Sequence, residues 1–180
     1  MSAGSDIVDA AVDAVLALAA EGPWRDVSLR QIAEKAQIPL VDLFARANGK
    51  DALLDRLSAR LDAAALATAA TPSEDIHDRL FDAAMARIEA MEPHRSALTS
   101  IYHGPAALSL APRLPRTARA ILEAAGVDAT PPRLVAMTAV WIRCAQVWRD
   151  DTGALNRTMA EIDLRLKQMR ARLARIGAGF

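Results

Sequence analysis

The chain is poor in the features that mark several large classes of protein. It has one cysteine in 180 residues, Cys144, so no disulfide can close within it, and a disulfide-framed secreted scaffold is excluded. Aromatic residues make up only 4% of the sequence and β-branched residues are sparse, while alanine and leucine dominate. That balance disfavours strands and favours helix nearly everywhere. Charge of either sign is not in excess, the formal net charge being +0, so there is no global pull toward nucleic acid or membrane. No apolar run approaches the roughly 18 residues needed to cross a bilayer. The opening residues, MSAGSDIVDA, carry acids and no basic segment of the kind that starts a signal peptide. These absences predict a cytoplasmic protein without a transmembrane segment.

Catalytic signatures are missing too. The three histidines, His77, His94 and His103, fall on separate segments without HxxxH or HExxH spacing, and there is no cysteine–histidine cluster for a metal. Neither a glycine-rich phosphate loop nor GxSxG occurs. Glu92, His94 and Arg95 are neighbours at a helix start, where capping is their expected role. No catalytic residue, metal site or cofactor is predicted, and the protein is expected not to be an enzyme.

What is present is a succession of helices marked by caps and breakers. Ser5 is placed to cap a first helix, in which Ile7, Val8, Ala11, Val15 and Leu18 recur at helical spacing up to Gly22-Pro23. Ser28 and Gln31 have capping-box spacing for a second helix. Gln37-Ile38-Pro39 reads as a tight turn, with proline at the start of a third helix, Leu40 to about Ala47. Asn48-Gly49 breaks it, and a fourth helix is expected over 50–69. Thr71-Pro72-Ser73 marks a boundary, with Ser73 as the expected cap of a fifth helix to Met91. Pro93 opens a sixth helix ending near Gly104, and 104–115 reads as loop. Further helices are expected over 115–125, from Thr130-Pro131-Pro132 to Asp150, and over 154–176, with Gly126 and Gly153 as stops.

Residues 28–54, SLRQIAEKAQIPLVDLFARANGKDALL, have the spacing of a helix-turn-helix followed by a longer helix. In such a motif the first short helix braces the second, which lies in the major groove. Leu29, Ile32, Ala33 and Ala36 supply the bracing face; Leu40, Leu43 and Phe44 supply the apolar side of the second helix. The remaining donors are Arg46, Lys50, Lys35, Arg30 and Arg25. Over residues 1–70, seven basic residues face ten acidic ones, a net of −3, although residues 25–50 hold five basic against three acidic. Phosphate neutralisation is the main source of DNA affinity, so the electrostatic signature is weak.

This stretch resembles the TetR family of transcriptional regulators. The match is gapless through Lys50 and Leu53-Leu54, keeping the step Ile32, Ala33, Ala36 and the step Lys50, Ala52, Leu53, Leu54. The departures fall on the outer surface: Gln37 replaces the family's turn glycine, Pro39 its serine, Val41 its small residue, Asp42 its threonine, Phe44 its phosphate-touching tyrosine, Ala45 its histidine and Ala47 its phenylalanine. The resemblance implies an all-α fold with an N-terminal helix-turn-helix DNA-binding domain, residues 1–48, and a C-terminal helical bundle, residues 49–180, for ligand binding and dimerisation. The helix at 50–69 would connect them. It implies double-stranded DNA as partner, read from Arg30, Lys35, Leu40, Asp42, Arg46 and Lys50, and a homodimer acting as a repressor.

In the C-terminal part Met137, Trp141, Cys144 and Trp148 share one helical face, and Met85, Ile88 and Met91 form a similar stripe. Methionine and tryptophan suit an adaptable apolar pocket as well as an ordinary core. With the resemblance, these seven residues are the expected pocket for a small apolar or lipid-like ligand. The same region, through Ala124-Ala125-Gly126, Arg133, Ala136, Trp148, Asp150, Thr158, Ile162-Asp163, Arg165-Leu166 and Met169, also resembles the lipid-binding accessory proteins of coenzyme Q biosynthesis. Those share the architecture without reading DNA, and form the alternative reading. The last helix, with Arg165, Lys167, Arg170, Arg172 and Arg175 spread around it, suits a dimer interface with a solvated basic face, an anionic membrane surface or DNA.

Overall fold

The computed structural model describes residues 3–103 and 111–180. Among them every regular element is helical. In order these are α1 (Ala3–Glu21), α2 (Leu29–Lys35), α3 (Leu40–Arg46), α4 (Lys50–Ala67), α5 (Ile76–Met91), α6 (Arg95–Ile101), α7 (Leu114–Ala124), α8 (Pro131–Asp150) and α9 (Asn156–Arg175). Short 3-10 turns stand at Trp24–Asp26, Thr68–Ala70 and Glu92–His94. Among the described residues no helix is long and apolar enough to cross a membrane.

The chain divides into two compact units, one of residues 1–60 and 93–111, the other of 61–92 and 112–180. In the first, α1 packs against α2, α3 and α6. Its core is Val12, Val15 and Ala19 of α1, Ile32 and Ala33 of α2, Leu43 of α3, Leu53 and Leu57 of α4, and Leu98 and Ile101 of α6. In the second, α8 packs on α7 and α9, and α5 on α7, α8 and α9.

The expected stops act through hydrogen bonds that use up terminal carbonyls. At the end of α7, Gly126 takes φ +70, and the amides of Gly126 and Val127 donate to the carbonyls of Glu123 and Leu122. The end of α9 repeats this with Gly177, also at φ +70. This paired arrangement needs a left-handed residue just past the helix, which glycine adopts without steric cost. The end of α2 has the same geometry with Gln37 at φ +56. Its amide donates to Glu34 O (3.1 Å) and that of Ile38 to Ala33 O (2.9 Å).

Several helix starts depart from expectation. The cap of α5 is Asp75, whose Oδ1 accepts from the amide of His77 (2.6 Å), while the Ser73 hydroxyl donates to Asp82. The carboxylate is the nearer side chain, so the helix begins two to three residues later. The last helix begins at Asn156, preceded by Leu155 at φ +57. There the cap comes from further upstream: Asp151 Oδ2 accepts from both the amide and the hydroxyl of buried Thr158, each at 2.8 Å. The first helix starts at Ala3, ahead of the expected Ser5, and α6 is preceded by a 3-10 turn and ends at Ile101. The expected end near Gly104 and most of the 104–115 loop lie outside the described residues.

The second unit also buries charge. Arg87 of α5 is almost inaccessible and donates through Nε to Asp62 Oδ1 of α4 at 2.6 Å. The same oxygen accepts from the Thr117 hydroxyl of α7 at 2.9 Å, and the guanidinium stacks 4.6 Å from the Trp141 ring of α8. One ion pair thus joins four helices.

Two outcomes test these local arguments. Removing one partner of a buried pair strands the other charge, so Arg87→Met should cost about 3–5 kcal/mol in urea unfolding, and adding Asp62→Leu should restore much of the loss. At Gln37 a side chain occupies a left-handed position that costs about 1–2 kcal/mol, against roughly 0.5–1 kcal/mol of extra unfolded-state freedom for glycine. Gln37→Gly should therefore raise stability by about 0.5–1 kcal/mol; a loss of stability would show that the turn carries no strain.

Candidate functional site

The helix-turn-helix is built in the first unit from its caps inward. The Ser28 hydroxyl oxygen accepts from the Gln31 amide (3.2 Å), and Gln31 Oε1 accepts from the Ser28 amide (2.8 Å), completing the capping box that starts α2. Ile32 and Ala33 are buried, and Ala33 lets α2 and α3 approach closely. The turn at Gln37 then directs Pro39 to the start of α3.

The apolar side of α3 is narrower than the sequence pattern suggests. Leu43 is fully buried and Ala47 closes the core at its end. Leu40 and Phe44, expected to share that side, are instead 39% and 58% exposed, and Val41 is 74% exposed. Over the two turns of α3 Leu43 is the buried position, with Ala47 buried just past its end, and the neighbouring rows turn outward.

Segment 22–27 and Lys50 form a clasp. The Trp24 amide donates to Ser100 Oγ (3.0 Å), and that hydroxyl donates to Gly22 O (2.9 Å). The Lys50 ammonium, at the start of α4, donates to Trp24 O (2.8 Å) and Val27 O (2.6 Å) and lies 4.1 Å from the centre of the Trp24 ring. Burial lowers its pKa, while Asp26 and Asp51 pull it upward. A cleft of about 460 Å³ opens here, lined by Trp24, Arg25, Asn48, Gly49, Lys50, Asp51, Ala52 and Leu54. Trp24 and Ser100 were not legible as site-forming residues. The only signal was a rare tryptophan directly after Gly22-Pro23.

The six residues expected at DNA stand as follows. Arg30 is exposed. Lys35 pairs with Glu21 at 3.1 Å, both exposed. Leu40 is on the outer side of α3, and Asp42 is half-buried in its first turn. Arg46 is exposed and donates to Asp42 O at 3.1 Å. Two of the three Lys50 ammonium protons lie on backbone carbonyls. Elsewhere in this unit Arg56 grips Asp9 with two hydrogen bonds, and Arg60 pairs with Asp13. Asp9 and Asp13 of α1 are thus paired with α4.

The seven residues expected at a ligand pocket, Met85, Ile88, Met91, Met137, Trp141, Cys144 and Trp148, are all buried in the second unit on α5 and α8. Polar partners that the stripe did not reveal lie among them: Arg87 Nη1 contacts Met91 Sδ (3.0 Å), and the Trp148 indole donates to Glu92 (2.8 Å). Glu92 thus serves Trp148 as well as ending α5. Desolvation pushes the Cys144 thiol up to about 12, so it stays protonated and unreactive near neutrality. On α9, Arg165 donates to Glu161, Lys167 to Asp163, and Arg170 lies 3.8 Å from Asp75. Arg143 of α8 also donates to Glu161. The Arg165 hydrogen bond, then that of Arg143, hold the Glu161 carboxyl below the usual range against its desolvation. His77 of α5 meets Asp163 at 2.9 Å. The basic face read from the sequence is thus largely paired, leaving Arg172 and Arg175 the more open end.

No family model matches the chain, and no curated protein matches it in sequence. Solved structures do. A TetR transcriptional regulator from Nitrosomonas europaea ATCC 19718 superposes with a TM-score of 0.70 at 22% identity, over 90% of this chain and 96% of that one. A TetR transcriptional regulator from Rhodococcus sp. RHA1 gives 0.70 at 15% identity, over 94% and 98%. At such identities the likeness concerns architecture, and the architecture is now plain: this chain has the all-α, TetR-like fold.

Proposed function

We propose that the protein is a ligand-responsive transcriptional regulator, a repressor that acts as a cytoplasmic homodimer. The observation that carries this reading is the intact helix-turn-helix frame at residues 28–47: capping box, tight turn and a second helix docked by Leu43, with its other side facing solvent. The likeness to two solved transcriptional regulators supports it. Residues 1–48 would be the DNA-binding domain and 49–180 the effector-binding and dimerisation domain, with α4 connecting them.

In this reading α3 enters the major groove. Arg30 and Arg46, open to solvent, hold phosphates, and Lys35 can exchange Glu21 for a phosphate because exposed pairs are weak. Lys50 contributes mainly by fixing the clasp, with one proton left for a phosphate. Asp42 keeps phosphate away from its own side of α3. An apolar effector would occupy space among Met85, Ile88, Met91, Met137, Trp141, Cys144 and Trp148, displacing core contacts as it enters. Val135 and Ile142 on α8 and Leu164 on α9 are exposed apolar residues on two helices packed together, and supply the self-complementary face of a two-fold dimer. Effector binding that favours one spacing of the two reading helices would couple to operator affinity reciprocally.

The experiment is a salt-dependent titration of the protein with duplex DNA from upstream of its own coding sequence. Nanomolar binding to a palindrome is expected, weakening steeply with salt. Arg30→Ala and Arg46→Ala should each lower the salt slope by about 1. Lys50→Ala should lower thermal stability more than it changes the slope. Absence of binding at low salt, with lipid co-purifying, would refute the regulator. The dimer has its own check: Ile142→Glu should shift the sedimentation coefficient from dimer to monomer, and an unchanged value would place the interface elsewhere.

A further inference from the structure

The side that α3 turns to solvent is nearly devoid of hydrogen-bonding groups. Val41, Phe44 and Leu40 are 74%, 58% and 39% exposed, and Ala45 is exposed beside them. Two polar neighbours are engaged locally, Gln31 in the capping box and Arg46 with the Asp42 carbonyl, while Gln37 and Asn48 beyond the two ends of α3 are exposed. Exposed cations stand at Arg46 in the last turn of α3, at Arg30 on α2 and at Arg25, which lies 3.7 Å from Asp26. An apolar helix face in a unit with exposed cations matches a surface that offers apolar groups between anions.

The major groove offers one such group. Each base pair presents donors and acceptors there, but thymine alone presents a methyl. The first residues of a recognition helix reach the base edges, and Leu40, Val41 and Phe44 are the first, second and fifth residues of α3. Asp42, the hydrogen-bonding side chain of that turn, is an acceptor. It therefore opposes the acceptor edge of guanine, N7 and O6, at the position it faces.

We propose that α3 selects its half-site by apolar contact with thymine methyl groups through Leu40, Val41 and Phe44. Guanine is disfavoured by Asp42, and Arg30 and Arg46 hold the adjoining phosphates. This rests on the DNA-binding reading above. It specifies the chemistry of the operator: each half-site carries thymines at the contacted steps, and no arginine–guanine pair anchors it.

The test begins by selecting duplexes from a random pool with the full-length protein at low salt. Thymine-rich half-sites in a palindrome are expected. Deoxyuridine is then placed at each selected thymine, which removes the 5-methyl group and leaves the base pairing intact. Each contacted methyl should be worth about fourfold in affinity, from the free energy of burying one methyl or methylene. Val41→Ser and Phe44→Ser should bind the thymine and deoxyuridine duplexes alike; both positions are exposed, and helical content by circular dichroism checks that the variants fold. Guanine-centred half-sites, or equal binding of thymine and deoxyuridine duplexes by the native protein, would overturn the methyl readout while leaving DNA binding in place. If no sequence is enriched and the protein floats with phosphatidylglycerol vesicles in a Phe44-dependent manner, both the readout and the DNA-binding reading fail.

Discussion

The helix-turn-helix frame depends on how residues 22–27 are held. This segment has no regular structure beyond one 3-10 turn, yet it must fix where α2 starts. Three carbonyls and one amide of the segment are satisfied by two side chains from elsewhere in the unit: Ser100 from α6 and Lys50 from the start of α4. The Trp24 ring fills the space between them and receives the ammonium over its face. A lysine can do this because its three protons diverge, whereas a guanidinium donates in one plane. The cost is desolvation of a cation, visible in its lowered pKa. Backbone oxygens and the ring offset that cost, with Asp26 and Asp51 adding favourable charge. With the clasp in place, the Ser28 cap, the Gln37 turn and α3 follow by local geometry.

Much of this was legible in the sequence because it is local. Ser28 with Gln31, Gly126, and Thr130 before two prolines each mark a boundary through chemistry that involves only neighbouring residues, and the structure has those boundaries within a residue or two. Two helix starts differ because another side chain takes the cap, from nearer the helix in one case and from further upstream in the other. Asp75 displaced Ser73 as a cap, and the cap of α9 is supplied by Asp151, seven residues before Thr158. For α3 the helical period was right and the width of its buried side was wrong. A short helix packed on two neighbours buries one row, and Leu40 and Phe44 fall outside it. The Lys50 clasp and the Arg87–Asp62–Thr117 cluster were beyond reach, because each joins residues 23 to 55 positions apart.

The N-terminal 70 residues are net acidic, and several of their charges are paired. Asp9 and Asp13 on α1 are held by Arg56 and Arg60 on α4. Glu21 faces Lys35. What remains in residues 25–46 is the exposed Arg25, Arg30 and Arg46 against Asp26, Glu34 and Asp42, with Arg25 lying 3.7 Å from Asp26. Each of these pairs removes one charge of each sign, so pairing leaves the net of residues 1–70 unchanged and the electrostatic pull on a phosphate at α3 stays weak. The DNA binding proposed for α3 would have to draw a larger share of its free energy from contacts other than ion pairing.

That requirement bears on the outer face of α3. Solvent-exposed apolar side chains are unremarkable singly, but here they occupy successive outward positions of one short helix, the one that enters the groove in the proposed DNA-binding reading. Leaving them in water forgoes the stabilisation that burial would give, and at Val41, 74% exposed, the fold covers little of the side chain. A face that the fold leaves exposed and water does not favour is best accounted for by what it meets when bound. The donors that would ordinarily hydrogen-bond bases are absent from this face, and methyl contact is the base-reading chemistry that remains to it.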